Sequence, residues 1–210
     1  MSGFGMPAPA SPDSPVPLPP TADGVSCLSW SPSSNLLAAS SWDGTVRIWE
    51  VAVNPPAMAG SAAQWQTTPK AESSTPAGPV LSCCWSDDGS TVFCGGSDTK
   101  VWMWNLAQGT TMQQVGQHAA PVKAVCYAGS MRMVISGSWD KTVKFWNCTS
   151  PTPAGSFTLP ERVYSMSAAG AVLAVACAAR KIVVFSLNNG APQQQLEMES
   201  PLKYQSRVIS

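Results

Sequence analysis

One stretch, SGSWDKTVKFW at 136–146, recurs along the chain and limits the fold more than any other feature. Copies read ASSWDGTVRIW at 39–49 and CGGSDTKVWMW at 94–104, and a decayed one reads ACAARKIVVF at 176–185. Each is a short apolar run, a turn rich in Gly, Asp and Ser, and a second run closed by an aromatic, the pattern of two strands joined by a tight turn. The closing aromatics Trp49, Trp104, Trp146 and Phe185 stand 55, 42 and 39 residues apart. Self-similarity at that period marks an array in which each repeat is one four-stranded blade of a propeller.

The strands around those turns are predicted at 25–30, 36–40 and 45–50 in the first unit, and at 79–85, 91–96 and 100–104 in the second. The third unit has 121–127, 131–136 and 142–146, and the fourth 162–167, 172–177 and 181–187. Gly, Asp, Asn, Ser and Pro separate them, and helical periodicity is absent, so the fold class is all-β, an antiparallel meander repeated as blades. Between the first two units, 53–78 is rich in Pro, Ala, Ser and Thr and is read as a surface loop holding one outer strand near 64–68. Residues 1–23 carry seven prolines in their first twenty positions and one Phe4-Gly5 pair, a composition that favours disorder. The segment PLKYQSRVIS at 201–210 reads as the entry to a fifth unit, with 207–209 starting its inner strand. Residues 24–210 are therefore expected to form a partial propeller of about four blades, from a class of rings that hold roughly four to eight. An open arc exposes a sheet edge and its axial core, so poor solubility or oligomerisation is expected of it.

With 44% hydrophobic and 11% charged residues, the chain has ample apolar surface for a core. It has no apolar run of the roughly 20 residues a membrane helix needs, and no Lys or Arg precedes Arg47, so neither a membrane span nor a signal-peptide n-region is drawn. Seven cysteines contain no C-x-x-C pair, and His118 is the only histidine. A zinc site of ordinary spacing is excluded, no metal or cofactor is expected, and the thiols read as reduced and buried in a soluble intracellular protein. Formal charge is zero overall, yet residues 1–98 hold 2 Lys/Arg against 8 Asp/Glu and residues 99–210 hold 10 against 4. That polarity offers the second half to an anionic partner.

Repeats of this kind, with Trp-Asp in the turn, resemble WD repeats, in which a structural hydrogen-bond chain links His, Ser or Thr, Asp and Trp. His118, Ser136, Asp140 and Trp146 occupy those positions in the third unit. The set also has the composition of a Ser-His-Asp triad, and a hydrolase using Ser136 and His118 is the competing reading. No Gly-x-Ser-x-Gly turn accompanies it, and a lattice serine inside a strand lacks an oxyanion hole, so the structural role is preferred. Asp43, Asp98 and Asp140 share one turn position, where carboxylates cap backbone N–H groups. Trp42 and Trp139 precede two of those aspartates at a position that does not demand burial, so they are candidate partner-binding anchors, with Lys123 and Lys141 beside them. Lys144, Arg162, Lys203 and Arg207 are candidate RNA or phosphate contacts.

Longer strings narrow the resemblance. WSDDGSTVFCGG at 85–96, QHAAPVK at 117–123, LPERVYSM at 159–166 and ESPLKYQSR at 199–207 resemble, in order and spacing, the Rae-type mRNA export factors, which are WD-repeat nucleoporins. The related Bub-type spindle-checkpoint propellers are close too, around LPERVYSM and LKYQSR. The resemblance implies a seven-bladed, non-enzymatic adaptor at the nuclear pore, in the nucleus and nuclear envelope with cytoplasmic shuttling. Its implied partners are a Phe-Gly nucleoporin, bound through a short hairpin-forming motif, and messenger ribonucleoprotein or RNA. The alternative is a checkpoint scaffold binding a checkpoint-kinase peptide motif. Two departures stand out: Ala119 where the family usually has Asp, and Ala179 in place of the fourth turn Asp.

Overall fold

The structure, a computed structural model, describes residues 21–54, 64–75, 77–188, 192–206 and 208–209. The disorder expected of 1–23 falls almost wholly outside these residues, as does Phe4-Gly5.

Among the described residues, sixteen strands form four four-stranded antiparallel sheets, each a meander in chain order. Blade one comprises β1 (Val25–Trp30), β2 (Leu36–Ser41), β3 (Thr45–Asn54) and β4 (Gln64–Ser74). Blade two comprises β5 (Val80–Trp85), β6 (Thr91–Gly96), β7 (Lys100–Asn105) and β8 (Gln113–Gln117). Blade three is β9 (Val122–Ala128), β10 (Met133–Ser138), β11 (Thr142–Trp146) and β12 (Gly155–Thr158), and blade four is β13 (Val163–Ala169), β14 (Val172–Cys177), β15 (Lys181–Ser186) and β16 (Gln193–Glu199). The first strands β1, β5, β9 and β13 pack side by side in that order and so line the axis.

The core lies between blades, where neighbouring sheets bury their facing sides against each other. Ile48, Val80, Trp85 and Trp104 fill the seam between blades one and two. Phe93, Val122, Val134 and Trp146 fill the next seam, and Ile135, Phe145, Val163, Val175 and Phe185 the third. Phe145, Phe157 and Phe185 meet edge to face at 5.2–6.3 Å between centroids, the geometry ring quadrupoles favour. Close approach of the sheets needs small residues on the second strand. A Cβ on Gly95 would stand 2.4 Å from Val122 Cγ1, and one on Gly137 would stand 2.7 Å from Met166 Sδ.

Two sequence expectations need correction. Among the described residues of 53–78, the outer strand expected near 64–68 is present but runs to Ser74. β3 and β4 run as a hairpin of 10 and 11 residues, with Val53 opposite Trp65. Its polar β4 pattern hid the length, because an outer strand buries little and need not alternate. The second strand of blade three begins at Met133 rather than 131, because the Ala128 and Gly129 carbonyls accept from the N–H groups of Met131 and Arg132 and close a turn there. Near the end of the described residues, the Ile209 N–H donates to Ser165 Oγ on β13 at 3.2 Å, and no strand is formed at 208–209.

Candidate functional site

The turn between second and third strands is built the same way in three blades. Asp43 Oδ1 accepts from Thr45 N at 2.9 Å, Asp98 Oδ1 from Lys100 N at 3.2 Å, and Asp140 Oδ1 from Thr142 N at 2.9 Å. The residue after each aspartate sits in the left-handed region: Gly44 at φ 83, Thr99 at φ 69 and Lys141 at φ 64. The residue before it donates its backbone N–H to the chain just ahead of the inner strand. Trp42 bonds Gly24 O and Trp139 bonds Pro121 O, both at 3.0 Å, while Ser97 bonds Pro79 O at 2.9 Å. These bonds pin the backbone and leave the side chain outside the core. The indoles of Trp42 and Trp139 are accordingly 52% and 42% exposed.

What holds the second oxygen of the aspartate differs from blade to blade. In blade three His118 Nδ1 lies 2.9 Å from Asp140 Oδ2, and its Nε2 lies 2.7 Å from Ser136 Oγ, which also accepts from Trp146 Nε1 at 2.7 Å. Burial pushes the His118 pKa down, against the pull of Asp140. The ring is therefore neutral at pH 7, with Nδ1–H donating to the carboxylate and Nε2 accepting from the serine hydroxyl. Burial raises the Asp140 carboxyl, but hydrogen bonds from Thr142 and the Ala119 N–H outweigh it and hold the pKa low. In blade one the guanidinium of Arg47 takes the imidazole's place, 2.9 Å from Asp43 Oδ2. In blade two it is the indole of Trp102, donating to Asp98 Oδ2 at 2.8 Å. Neither replacement was anticipated. The signal lay in position, since Arg47 and Trp102 both stand four residues after the turn aspartate, on its own face of the strand.

The His118, Ser136 and Asp140 connectivity is that of a nucleophilic triad, yet it is not placed for attack. Ser136 is fully buried between strands, and its oxygen is engaged by both the indole and the imidazole. A nucleophile must reach a carbonyl carbon and deliver the resulting oxyanion to waiting donors. The set is a structural lock.

The partner-binding candidates fall in two places. Lys123, Trp139 and Tyr164 line one hollow of about 350 Å³ with Val208, and the Arg162 guanidinium lies 5.4 Å from the Tyr164 ring centre. Trp42 stands apart from them, on blade one. Tyr164 and Val208 were missed; the inward alternation of β13 was the available signal for the tyrosine. Lys141 forms an exposed ion pair with Glu161 at 2.8 Å. Of the phosphate candidates, Lys144 donates to Gln117 O at 2.9 Å and Lys203 lies 5.6 Å from the ring of Tyr204. Arg207 lies outside the described residues. Lys144, Arg162 and Lys203 contact different parts of the chain and do not form one cluster. Among the described residues no group of three or more His, Cys, Asp or Glu side chains is arranged to hold a metal ion, and no helix is long and apolar enough to cross a membrane.

Comparison with known proteins agrees with this architecture. The WD domain, G-beta repeat family matches at residues 18–50, 69–105 and 109–147. The chain belongs to the WD-repeat family. It is 43% identical to Protein Rae1 of Drosophila melanogaster over 195 residues, covering 91% of this chain and 53% of that protein. It is 44% identical to Protein RAE1 of Arabidopsis thaliana, covering 100% of this chain and 58% of that protein. The mRNA export factor of Xenopus tropicalis is 40% identical over 196 residues, 91% of this chain and 50% of its own length. The chain thus spans about half the length of these relatives. A chain of the solved mitotic checkpoint complex superposes with a TM-score of 0.68 at 19% identity, over 88% of this chain and 54% of its own, which is a likeness of fold.

Proposed function

We propose that the chain is a non-enzymatic WD-repeat adaptor that supports mRNA export by binding a short, hairpin-forming peptide motif of a Phe-Gly nucleoporin. The observation that carries the reading is the pair Trp42 and Trp139, held at equivalent turn positions by the same backbone bond with their indoles in solvent. Exposed tryptophans on rigid backbone lose little entropy on docking and serve well as anchors. The hollow of Lys123, Trp139 and Tyr164 accepts an apolar side chain flanked by an acidic one. The names of the relatives supply the export role, since several are mRNA export factors. Arg162 and Lys203 are the proposed RNA contacts; Lys144 is a weaker one, because its ammonium already serves a carbonyl. The site of action is then the nucleus and the nuclear pore, with shuttling to the cytoplasm.

A fluorescence titration of the chain with a synthetic nucleoporin hairpin peptide tests this. Binding that weakens about 30-fold in Trp139→Ala, the loss of an anchor worth about 2 kcal/mol, supports it. Equal affinity in Trp42→Ala, Trp139→Ala and the parent overturns it. Capture of checkpoint kinases without any pore component, in a pull-down from nuclear extract, transfers the reading to a checkpoint scaffold.

A further inference from the structure

The seven cysteines are free thiols of unequal setting. Cys27 on β1 and Cys83 on β5 meet across the seam between blades one and two. Cys27 Sγ lies 3.8 Å from Cys83 O, and both side chains pack in the same apolar cluster. The two strands are tied beside them, by Trp85 Nε1 donating to Ser29 O at 2.9 Å and Ser26 Oγ donating to Val80 O at 2.5 Å. Cys27, Cys83, Cys84 and Cys126 all line an axial cavity of about 570 Å³, Cys83 as a buried residue and the other three half-buried. A small oxidant in that cavity meets Cys27 with the Cys83 residue beside it.

The chemistry of the neighbours separates the thiols further. The Cys27 S–H faces Cys83 O at 3.8 Å; interaction with the Cys83 side chain outweighs the effect of burial, and Lys123 adds a positive charge, so the Cys27 pKa is drawn down. Burial pushes Cys84 and Cys126 up. Thiolate character, not thiol content, sets the rate of attack on a peroxide.

We propose that Cys27 is a peroxide-reactive modification site and that Cys83 resolves it, closing a reversible disulfide between blades one and two. The Cys27 thiolate attacks one oxygen of hydrogen peroxide; the S–O bond forms, the O–O bond breaks, and hydroxide leaves and takes up a proton as water. The Cys83 sulfur then attacks the sulfenic sulfur. The S–S bond forms, the S–O bond breaks, and the departing hydroxide leaves as water with the Cys83 proton. Two thiols are oxidised by two electrons in all, and one peroxide is reduced to two waters. The bridge closes a loop across 56 positions of sequence, joining the blade that carries Trp42 to its neighbour.

The test treats the full chain with hydrogen peroxide and reads it by intact mass and non-reducing peptide mapping. The expected product has lost two hydrogens, contains a Cys27–Cys83 cross-linked peptide, and reverts with dithiothreitol. With Cys83→Ser, dimedone is expected to trap a sulfenic acid at Cys27. Because a core variant can lose its fold, a third measurement uses the parent chain without peroxide: iodoacetamide in short pulses should alkylate Cys27 about tenfold faster than half-buried Cys148, as expected for a thiolate beside a thiol. A cross-link between any other pair, or labelling spread evenly over Cys27, Cys84, Cys126 and Cys148, overturns the proposal.

Discussion

Trp146 donates its indole N–H to Ser136 Oγ at 2.7 Å, from the third strand of blade three to the second. The same hydroxyl serves His118 Nε2, so one buried oxygen satisfies two ring nitrogens. Removing it leaves both without a partner in a site that excludes water. Ser136→Ala is expected to cost about 2 kcal/mol, since a buried group left unsatisfied costs about 1–3. The midpoint of urea unfolding checks this; an unchanged midpoint would show that the lock holds nothing.

His118 also gives blade three a pH dependence with a definite sign. Its folded pKa lies below the ordinary 6.5, so the unfolded chain binds the proton first as pH falls. The contribution is complete above pH 6.5 and is lost progressively below it. Asp140, also lowered in the folded state, adds a loss in the same direction, starting near the ordinary 3.8. Melting temperature followed from pH 7.5 to 5 should fall in the parent chain and fall less steeply in His118→Gln. Equal slopes would assign the fall to other groups.

Thr99 is a β-branched residue at φ 69, in the turn position that blade one gives to Gly44. A side chain costs about 1–2 kcal/mol in the left-handed region, and its branching adds to the crowding. Thr99→Gly is therefore expected to stabilise by about 1 kcal/mol, partly offset by the greater freedom of glycine in the unfolded chain. The reverse exchange, Gly44→Thr, should destabilise, because a Cβ there would also stand 2.9 Å from Gly78 O. Thermal melts of the two variants check the pair of opposite signs.

Gly137 lets the inner strand of blade four come close. A Cβ there would meet Met166 Sδ at 2.7 Å and Val163 Cγ1 at 2.8 Å. Gly137→Ala is expected to cost about 1–3 kcal/mol through overpacking, and Gly137→Ala with Met166→Ala to recover part of it. Additive losses in that double variant would place the strain elsewhere.

The repeat made the blades and their order legible, because strands buried on both faces must be apolar, as in VLSCCW and TVFCGG. The outer strands β8, β12 and β16 were not anticipated. QQVGQ, GSFT and QQQLEME carry few large apolar side chains, which leaves too little pattern to read. The lock of blade three was legible because all four of its residues are of the usual type. Its counterparts in blades one and two were not, since a guanidinium and an indole reach the same carboxylate from the strand itself. The exposure of Trp42 and Trp139 followed from their turn position, whereas their separation followed only from the blade arrangement. The phosphate candidates failed to cluster because a list of charges says nothing of which carbonyls and rings will claim them.

Ala179 leaves the fourth turn without a carboxylate, and the amide of Gln205 ties it instead. Gln205 accepts from Arg180 N at 3.0 Å and donates to Cys177 O at 2.8 Å. In the other three blades the capping group lies two residues from the amide it holds. The fourth turn keeps its own backbone bond, Lys181 N to Ala178 O at 3.3 Å, but takes its side-chain cap from 25 positions further on. A single alanine thus makes the cap of blade four a contact across sequence, one that loss of Gln205 would strip while leaving the other three caps in place.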